Sequence, residues 1–400
     1  MSRRMPRWEE IKPLVKIRPP GLGPEARLAA AADIWDLRKI AKRRTPRAPF
    51  DYTDGAAEEE ITLRRSRQAY RSIQFNPSVL RDVSEVDAST SLLGTTTSLP
   101  LALAPTGFTR MMQHEGEVAV ARAAERAGII YALSTLGTTS PEDVAEAAPN
   151  LNRWFQLYLF NDRDMGRELL RRAKDSGYST VILTVDAAIA GARLRDVRNG
   201  LTIPPSLTLK TLFDMALHPS WWFNLLTSEP LEFATFKNFD GTVAELITTM
   251  FDPTLNWADV AWLREHWDGP IVVKGIQSVD DARRAADHGA DAVIVSNHGG
   301  RQLDRAPTTF ELLPHVVDAV ADRIEVYVDG GIMDGADVVA AVAQGATAAF
   351  AGRAYLYALM AGGEHGVDRA LQMFSAGITR TMQLLGVTSI KELDRSHISS

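Results

Sequence analysis

The strongest constraint on this chain is a rhythm. From about residue 100 onward, short runs of β-forming residues alternate with helical stretches, and eight such runs follow one another. They are Leu99–Pro105, Ile129–Thr135, Trp154–Leu159, Thr180–Asp186, Pro270–Lys274, Ala292–Ser296, Ile324–Asp329 and Thr347–Gly352. Between them, stretches such as Glu115–Ala127, Arg163–Ser176, Val279–His288 and Gly335–Gln344 repeat apolar residues three and four apart, the spacing of an amphipathic helix. Strand, helix, strand in sequence demands parallel pairing through right-handed crossovers. Eight units predict an α/β protein of the (β/α)8 TIM barrel type. An open doubly wound sheet is the rival, and it is weakened because no Gly-x-Gly-x-x-Gly follows the first strand.

Residues 1–98 read as an N-terminal helical cap and 99–400 as the barrel. Within the cap, Asp33–Ala41 is a helix with Asp33 as its N-cap, followed by the basic Lys42-Arg43-Arg44. One connection departs from the rhythm. About eighty residues separate Asp186 from Pro270, and the excess, roughly 200–256, is an insertion after strand four. It holds Pro204-Pro205, the run Trp221-Trp222-Phe223, and Phe233, Phe236 and Phe239. Excursions of that length in a compact domain usually serve as lids or binding loops.

Composition removes several classes of function. The chain has no Cys, which excludes disulfides, thiolate catalysis and Cys-ligated zinc or iron–sulfur clusters, and fits a reducing cytoplasm. A net charge of −6 gives no support for nucleic acid as a partner, although the stretch to Arg47 is locally basic. No apolar h-region follows the basic N-terminus, and no run approaches the roughly 18 apolar residues of a spanning helix. The expectation is a soluble or peripheral protein, and no metal site is expected.

In a barrel the C-terminal ends of all strands meet on one face, where chemistry is found. Read in order, these ends are Ala104-Pro105-Thr106-Gly107, Ser134-Thr135, Gln156-Leu157-Tyr158, Thr184-Val185-Asp186 with Arg193 beyond, Lys274-Gly275, Ser296 with the loop through His298 and Arg301, Asp329-Gly330-Gly331, and Gly352-Arg353. A polar group at every strand end is a pattern that core packing does not produce. In Ser296-Asn-His298-Gly299-Gly300-Arg301, a base stands beside an anion clamp, as proton abstraction from a carboxylate-bearing substrate requires. An isolated segment of this kind is more often a polar turn with a structural His. Glycines after strands seven and eight are where barrels hold a phosphate. A buried Lys274 calls for a facing negative charge, either a ligand or a neighbouring Asp. Asp186 either orients His298 or caps its own loop.

These residues resemble the FMN-dependent α-hydroxy acid oxidase/dehydrogenase family, and most closely its bacterial quinone-linked L-lactate dehydrogenases. The resemblance runs from about Asp33 to Ile398 and rests on Phe50-Asp-Tyr-Thr-Asp-Gly-Ala56, Ala104–Gly107, Gln156–Tyr158, Thr184–Asp186, Arg193, Val273–Gly275 and Ser296–Asp304. It implies FMN as cofactor, with His298 as the base and Asp186 holding it. Arg301, Arg193 and the hydroxyl of Tyr52 would grip the substrate carboxylate, and Tyr158 would bond the substrate's oxygen. Lys274 would stabilise the reduced flavin. Ala104, Pro105, Thr106, Gly107, Ser134, Gln156, Thr184 and Ser296 would line the ring, while Asp329, Gly331, Gly352 and Arg353 would hold ribityl and phosphate.

The chain departs from many relatives at Met333, where they carry a phosphate-binding Arg, and at Ala188, where they carry Pro. Leu136 replaces a Trp of glycolate oxidase, and Gly107 replaces an Ala of the oxidases, which favours a non-oxygen acceptor such as quinone. The resemblance therefore implies oxidation of an L-2-hydroxy acid, foremost L-lactate to pyruvate. The alternatives are an oxygen-using oxidase, a mandelate-type dehydrogenase, or an enzyme acting on a peptide-derived redox cofactor. It also implies a homo-oligomer, often a tetramer. The aromatic insertion (Trp221-Trp222-Phe223 and Phe251-Asp-Pro253) is expected either to dock peripherally on the inner face of the cell membrane or to cover a subunit contact. Outside this family, a flavin scaffold without catalysis and a Schiff-base aldolase using Lys274 remain as readings.

Overall fold

The computed structural model describes residues 4–13, 23–200, 209–231 and 252–399. Eight parallel strands close into a barrel: β1 Leu101–Leu103, β2 Ile130–Ser134, β3 Arg153–Leu157, β4 Thr180–Thr184, β5 Ile271–Ile276, β6 Ala292–Val295, β7 Glu325–Val328 and β8 Ala348–Ala351. Each pairs with its neighbours in chain order, and β8 returns to β1 through Ala349 opposite Leu101. The strand–helix rhythm thus yields the barrel and excludes the open sheet. The observed strands fall within a residue or two of the expected ends. Tyr158 and Asp186 lie just beyond their strands, in the loops that form the mouth.

Alternation along the strands explains both the core and the position of the site. Side chains of a strand point to opposite faces in turn. One stripe packs outward against the helices, as do Leu101, Leu103, Tyr131, Leu133, Val181 and Val293. The other points inward, where Ala102, Ala132, Ala292 and Ala348 leave room for Trp154, Tyr327 and Phe350. Extending the inward stripe by two residues on each strand reaches Ala104, Ser134, Gln156, Thr184, Lys274, Ser296, Asp329 and Gly352. The mouth is therefore the last, largely polar layer of the same interior whose lower layers are apolar.

The segment before the barrel is not wholly helical, which corrects the expectation of a helical cap. An antiparallel hairpin, Thr90–Leu92 with Thr95–Thr97, inserts the fully buried Leu92 into the inner core. At its tip the Leu93 amide donates to Glu325 at 3.0 Å, and Glu325 also accepts from the Tyr327 hydroxyl at 2.6 Å. Gln74–Phe75 pairs with Ile398–Ser399, tying this segment to the C-terminus.

Among the described residues, three helices of the segment before the barrel line its mouth. In α1 (Ile34–Arg44), the Asp33 side chain accepts from the Asp36 amide at 2.8 Å, and the basic triplet forms the last turn instead of following the helix. α2 (Arg47–Asp54) carries Tyr52, and α3 (Ile61–Arg71) runs from the end of β6 towards the end of β7. A long helix, Arg353–Leu385, begins directly after β8 and packs on α1. In the insertion, Leu209–Ala216 and Pro219–Thr227 are helices rather than irregular loop. Pro204, Pro205, Phe233, Phe236, Phe239 and Phe251 lie outside the described residues. Among the described residues no helix is long and apolar enough to cross a membrane.

Candidate active site

A cavity of about 850 Å³ opens at the C-terminal ends of the strands, beneath α2 and α3. Its size and its lining of apolar walls with a few polar groups suit a cofactor with a small substrate. All eight strand ends contribute to the mouth or to the shell beneath it.

At one end, His298 is held by three features. Its backbone is left-handed, with φ 55°, at the head of a short 3-10 turn, so the imidazole projects back over the barrel. Its amide donates to the Ser296 hydroxyl at 3.1 Å, and Nδ1 lies 3.0 Å from an oxygen of Asp186. A carboxylate only accepts, so Nδ1 carries the proton and the lone pair of Nε2 is left free. The Asp186 side chain is only 1% exposed. Burial would raise its pKa, but the adjoining His298 and the charge of Lys274 outweigh it and hold the carboxyl below its usual range. This closeness depends on Gly275, whose φ of +108° is left-handed and whose missing Cβ would lie 2.7 Å from the Cβ of Asp186.

In the same cavity, Arg301 and Arg193 stack on the Tyr52 ring, 4.6 and 5.1 Å from its centre. Arg301 donates to the carbonyls of Tyr52 and Gly55. Burial lowers it to about 10, so it remains a cation at neutral pH. Arg193 lies 3.5 Å from Asp196. Tyr158 lines the same space, and burial together with the charge of Asp186 pushes its hydroxyl pKa up. Leu136, Phe108, Ala187 and Ala190 supply apolar wall, and Leu136 seats against the bare Cα of Gly107.

In the deeper layer, Lys274 is 4% exposed, donates to the Ser296 hydroxyl at 3.0 Å and lies 3.3 Å from Asp329. Burial lowers its affinity for a proton, yet Asp329 and Asp186 more than restore it, and it stays charged. Several buried polar atoms have no partner among the described residues: the side-chain nitrogen of Gln156, the Thr184 hydroxyl and one oxygen of Asp329. The amide oxygen of Gln156 already accepts from the Ser134 hydroxyl at 3.0 Å and from the Thr135 amide at 3.2 Å, which leaves its NH2 to donate into the cavity. Native interiors seldom leave such groups unsatisfied. An NH2 and a cation for ring carbonyls, with a carboxylate oxygen for hydroxyls, match a flavin with its ribityl chain.

The far end is formed by Gly331, Met333, Gly352 and the first turn of the helix after β8. Arg353 does not point freely into it. Its guanidinium donates to the carbonyls of Thr53 at 2.9 Å, Gly299 at 2.8 Å and Gly55 at 2.6 Å, so it joins α2 to the His298 turn.

Sequence reading missed two groups. Tyr355 is fully buried, donates to the Ala104 carbonyl at 2.9 Å and lies 2.5 Å from the Thr106 hydroxyl, which holds the turn after β1. Arg64, Arg65, Arg67 and Arg71 of α3 line the far end. The run Arg64-Arg65-Ser66-Arg67 with Arg71 at helical spacing was a visible signal for the second group.

A parallel barrel with a carboxylate-backed imidazole, paired guanidiniums and open donors for a planar ring at its mouth defines a cofactor-carrying oxidoreductase of small carboxylic acids. A family model described as FMN-dependent dehydrogenase matches residues 41–400, and the chain belongs to that family. FMN is its cofactor. The "Putative L-lactate dehydrogenase" of Mycobacterium tuberculosis is 54% identical over 400 residues, covering 100% of this chain and 97% of that protein. Glycolate oxidase of Spinacia oleracea is 41% identical over 369 residues, 92% of this chain and 95% of its own. Among solved structures, the monotopic membrane protein (S)-mandelate dehydrogenase matches with a TM-score of 0.89 at 37% identity, over 92% of this chain and 99% of that one. The protein is thus an FMN-dependent oxidoreductase of the 2-hydroxy acid dehydrogenase and oxidase group.

Proposed function

We propose that the chain oxidises an L-2-hydroxy acid, L-lactate foremost, to the 2-oxo acid and passes the electrons to a quinone. The observation that carries this reading is the pairing of His298 and Asp186 at 3.0 Å in the cavity that also holds two guanidiniums on Tyr52. Arg301 and Arg193 bind the substrate carboxylate, with the Tyr52 hydroxyl assisting, and so fix the α-carbon relative to the imidazole. Oxidation removes two electrons and two protons from the CH–OH group. His298 Nε2 takes one of those protons, Asp186 stabilises the resulting imidazolium, and Tyr158 bonds the substrate oxygen. Bound FMN would supply the acceptor for the two electrons and the second proton. The buried Lys274 would hold a positive charge against the negative charge that reduction brings.

The L-lactate dehydrogenase name of the relative at 54% identity supports the small substrate. Anaerobic stopped-flow absorbance tests it. Bleaching of the flavin band by L-lactate in preference to L-mandelate and glycolate is expected, followed by reoxidation by quinone faster than by air. Preference for mandelate would place the chain with the bulky-substrate dehydrogenases. Fast reoxidation by air would make it an oxidase. Indifference to all three acids would point to a larger substrate, such as a peptide-derived redox cofactor.

The insertion gives the quinone reading a physical basis. Phe213, Leu217, Phe223 and Leu226 are 71%, 64%, 68% and 75% exposed. Its helices are anchored from behind, where the Trp221 indole donates to the Met112 carbonyl at 3.2 Å and the Arg47 amide donates to Asp214 at 2.7 Å. An anchored helix with an apolar outer face suits the interface of a bilayer. We infer a peripheral enzyme at the inner face of the cell membrane, assembled as a homo-oligomer, with residues 1–98 capping the barrel. Phe223→Ser with Leu226→Ser should abolish co-flotation with lipid vesicles while leaving lactate-driven bleaching intact. Unchanged flotation would assign this face to another contact.

A further inference from the structure

We infer that the cap, through Arg64 and Arg71 of α3, supplies counter-charge for the cofactor's phosphate that the side chains of the barrel's own phosphate loops do not provide alone. The inference rests on FMN occupying the cavity, which family membership establishes. It does not depend on the identity of the substrate or the acceptor.

Barrels hold a phosphate after strands seven and eight, against a helix N-terminus. Here that place lies between Gly331 and the first turn of the helix Arg353–Leu385. A phosphate monoester brings nearly two negative charges, and the amides of one helix end offset about half a charge. Side-chain cations must supply the rest, and the barrel offers little there. Residue 333 is a Met, 6% exposed, and offers no charge. The Arg353 guanidinium keeps its charge but gives three of its five N–H groups to carbonyls, at 2.9, 2.8 and 2.6 Å, so it has few donors left for a phosphate. Arg67 is bound to the Gly331 carbonyl at 2.6 Å and is neutralised by Asp337. Lys274 faces Asp329 and is balanced by it.

The uncommitted cations stand on α3. Residues 64, 67 and 71 form one stripe of a helix, each a turn from the next. The Arg67 bond to Gly331 sets that stripe over the end of β7. The approach is close, because a Cβ on Gly331 would lie 3.0 Å from both the Ser66 carbonyl and the Tyr70 ring. Arg64 and Arg71 therefore flank the phosphate place at about one helical pitch, roughly 5.4 Å, on either side of Arg67, within the reach of an arginine. Both line the cavity. Arg64 makes one hydrogen bond, to the Glu59 carbonyl at 2.8 Å, and has other donors free. Arg71 lies over the Trp35 ring, 5.8 Å from its centre, and no carboxylate among the described residues pairs with either. An indole beneath a guanidinium orients it without neutralising it. The cofactor would then be clamped between barrel and cap.

The test compares FMN with riboflavin, which lacks only the phosphate. In fluorescence titrations of the full-length apoprotein, Arg64→Gln with Arg71→Gln should raise the Kd for FMN at least about tenfold, the loss of one or two charge-assisted bonds. The Kd for riboflavin should move less than about twofold on the same grounds. Adding Met333→Arg to that double variant should restore FMN affinity by returning a cation from the barrel side. Equal changes for both ligands, or no change for FMN, would overturn the inference. The unmodified protein gives a check that needs no variant to fold. Because Arg64 and Arg71 are exposed, FMN affinity should fall steeply between low and high salt while riboflavin affinity stays flat. An FMN affinity as insensitive to salt as that of riboflavin would mean that buried groups carry the phosphate.

Discussion

Replacing Asp186 by Asn keeps the shape of the side chain and removes one charge from behind His298. The separation of 3.0 Å sets the size of the effect. Two unit charges at that distance interact by about 5 kcal/mol at the effective dielectric of protein sites, an upper limit reached only with a fully formed imidazolium. A transition state with the proton half transferred realises about half of that. The lower limit is the net worth of a hydrogen bond to a charged group, about 1.5–3 kcal/mol. Both estimates meet near 2.5 kcal/mol, about a hundredfold in rate. The Asn amide can also donate to Nδ1, which would move the imidazole proton to Nε2 and occupy the lone pair that must accept. The assay is the anaerobic rate of flavin bleaching at saturating L-lactate, together with the Kd of a 2-oxo acid. The rate should fall about a hundredfold while the Kd stays within about threefold, because Arg193, Arg301 and Tyr52 are untouched. A rate loss below about threefold, or a loss appearing wholly in Kd, would refute the assignment of Asp186 to the imidazolium.

Gly275→Ala adds a Cβ about 2.7–2.8 Å from the backbone and side chain of Asp186 at a φ of +108°, and should cost about 1–3 kcal/mol of stability and displace Asp186. Its bleaching rate should fall at least as far as that of Asp186→Asn, and a wild-type rate would show that the contact is not needed. Lys274→Met strands Asp329, 6% exposed, as a buried uncompensated charge. The apoprotein should lose about 3–5 kcal/mol in urea melts, and Lys274→Met with Asp329→Asn should recover most of that; no recovery would mean that the pair is not coupled. Burial alone would raise Asp54, but Arg38, Tyr357 and Arg195 bring it from 3.8 down to about 2. A depressed acid stabilises above its unfolded value, so its contribution of about 2 kcal/mol is whole above about pH 4 and disappears as pH falls through about 2. The stability difference between wild type and Asp54→Asn should shrink over that window, and a difference independent of pH would exclude the charge as its source.

Much of the fold was legible because its two periods are local. Strands of period two and helices of period 3.6 depend on residues a few positions apart, and eight alternations leave few ways to close a sheet. The same period exposed the cavity. Gln156, Thr184, Lys274, Ser296 and Asp329 are polar continuations of stripes that are otherwise apolar, and the structure brings them to one mouth. The hairpin at Thr90–Thr97 was hidden because its strands are three residues each, too short to show alternation. The insertion helices were obscured by aromatic residues that read as loop anchors.

The sequence by itself determined the barrel, its polar mouth, and the placing of His298 and Arg301 on one loop, because these follow from order and spacing along the chain. Only the tertiary structure decided how the charges are spent. Arg353 looks free in sequence, yet three carbonyls from α2 and the His298 turn take three of its five N–H groups. Arg64 and Arg71 look like a solvated helix face, yet α3 lies across the end of β7 and brings them to the cavity. A charge acts through distance and burial, and neither is encoded at the charged residue. Both are set by which distant segments fold against it.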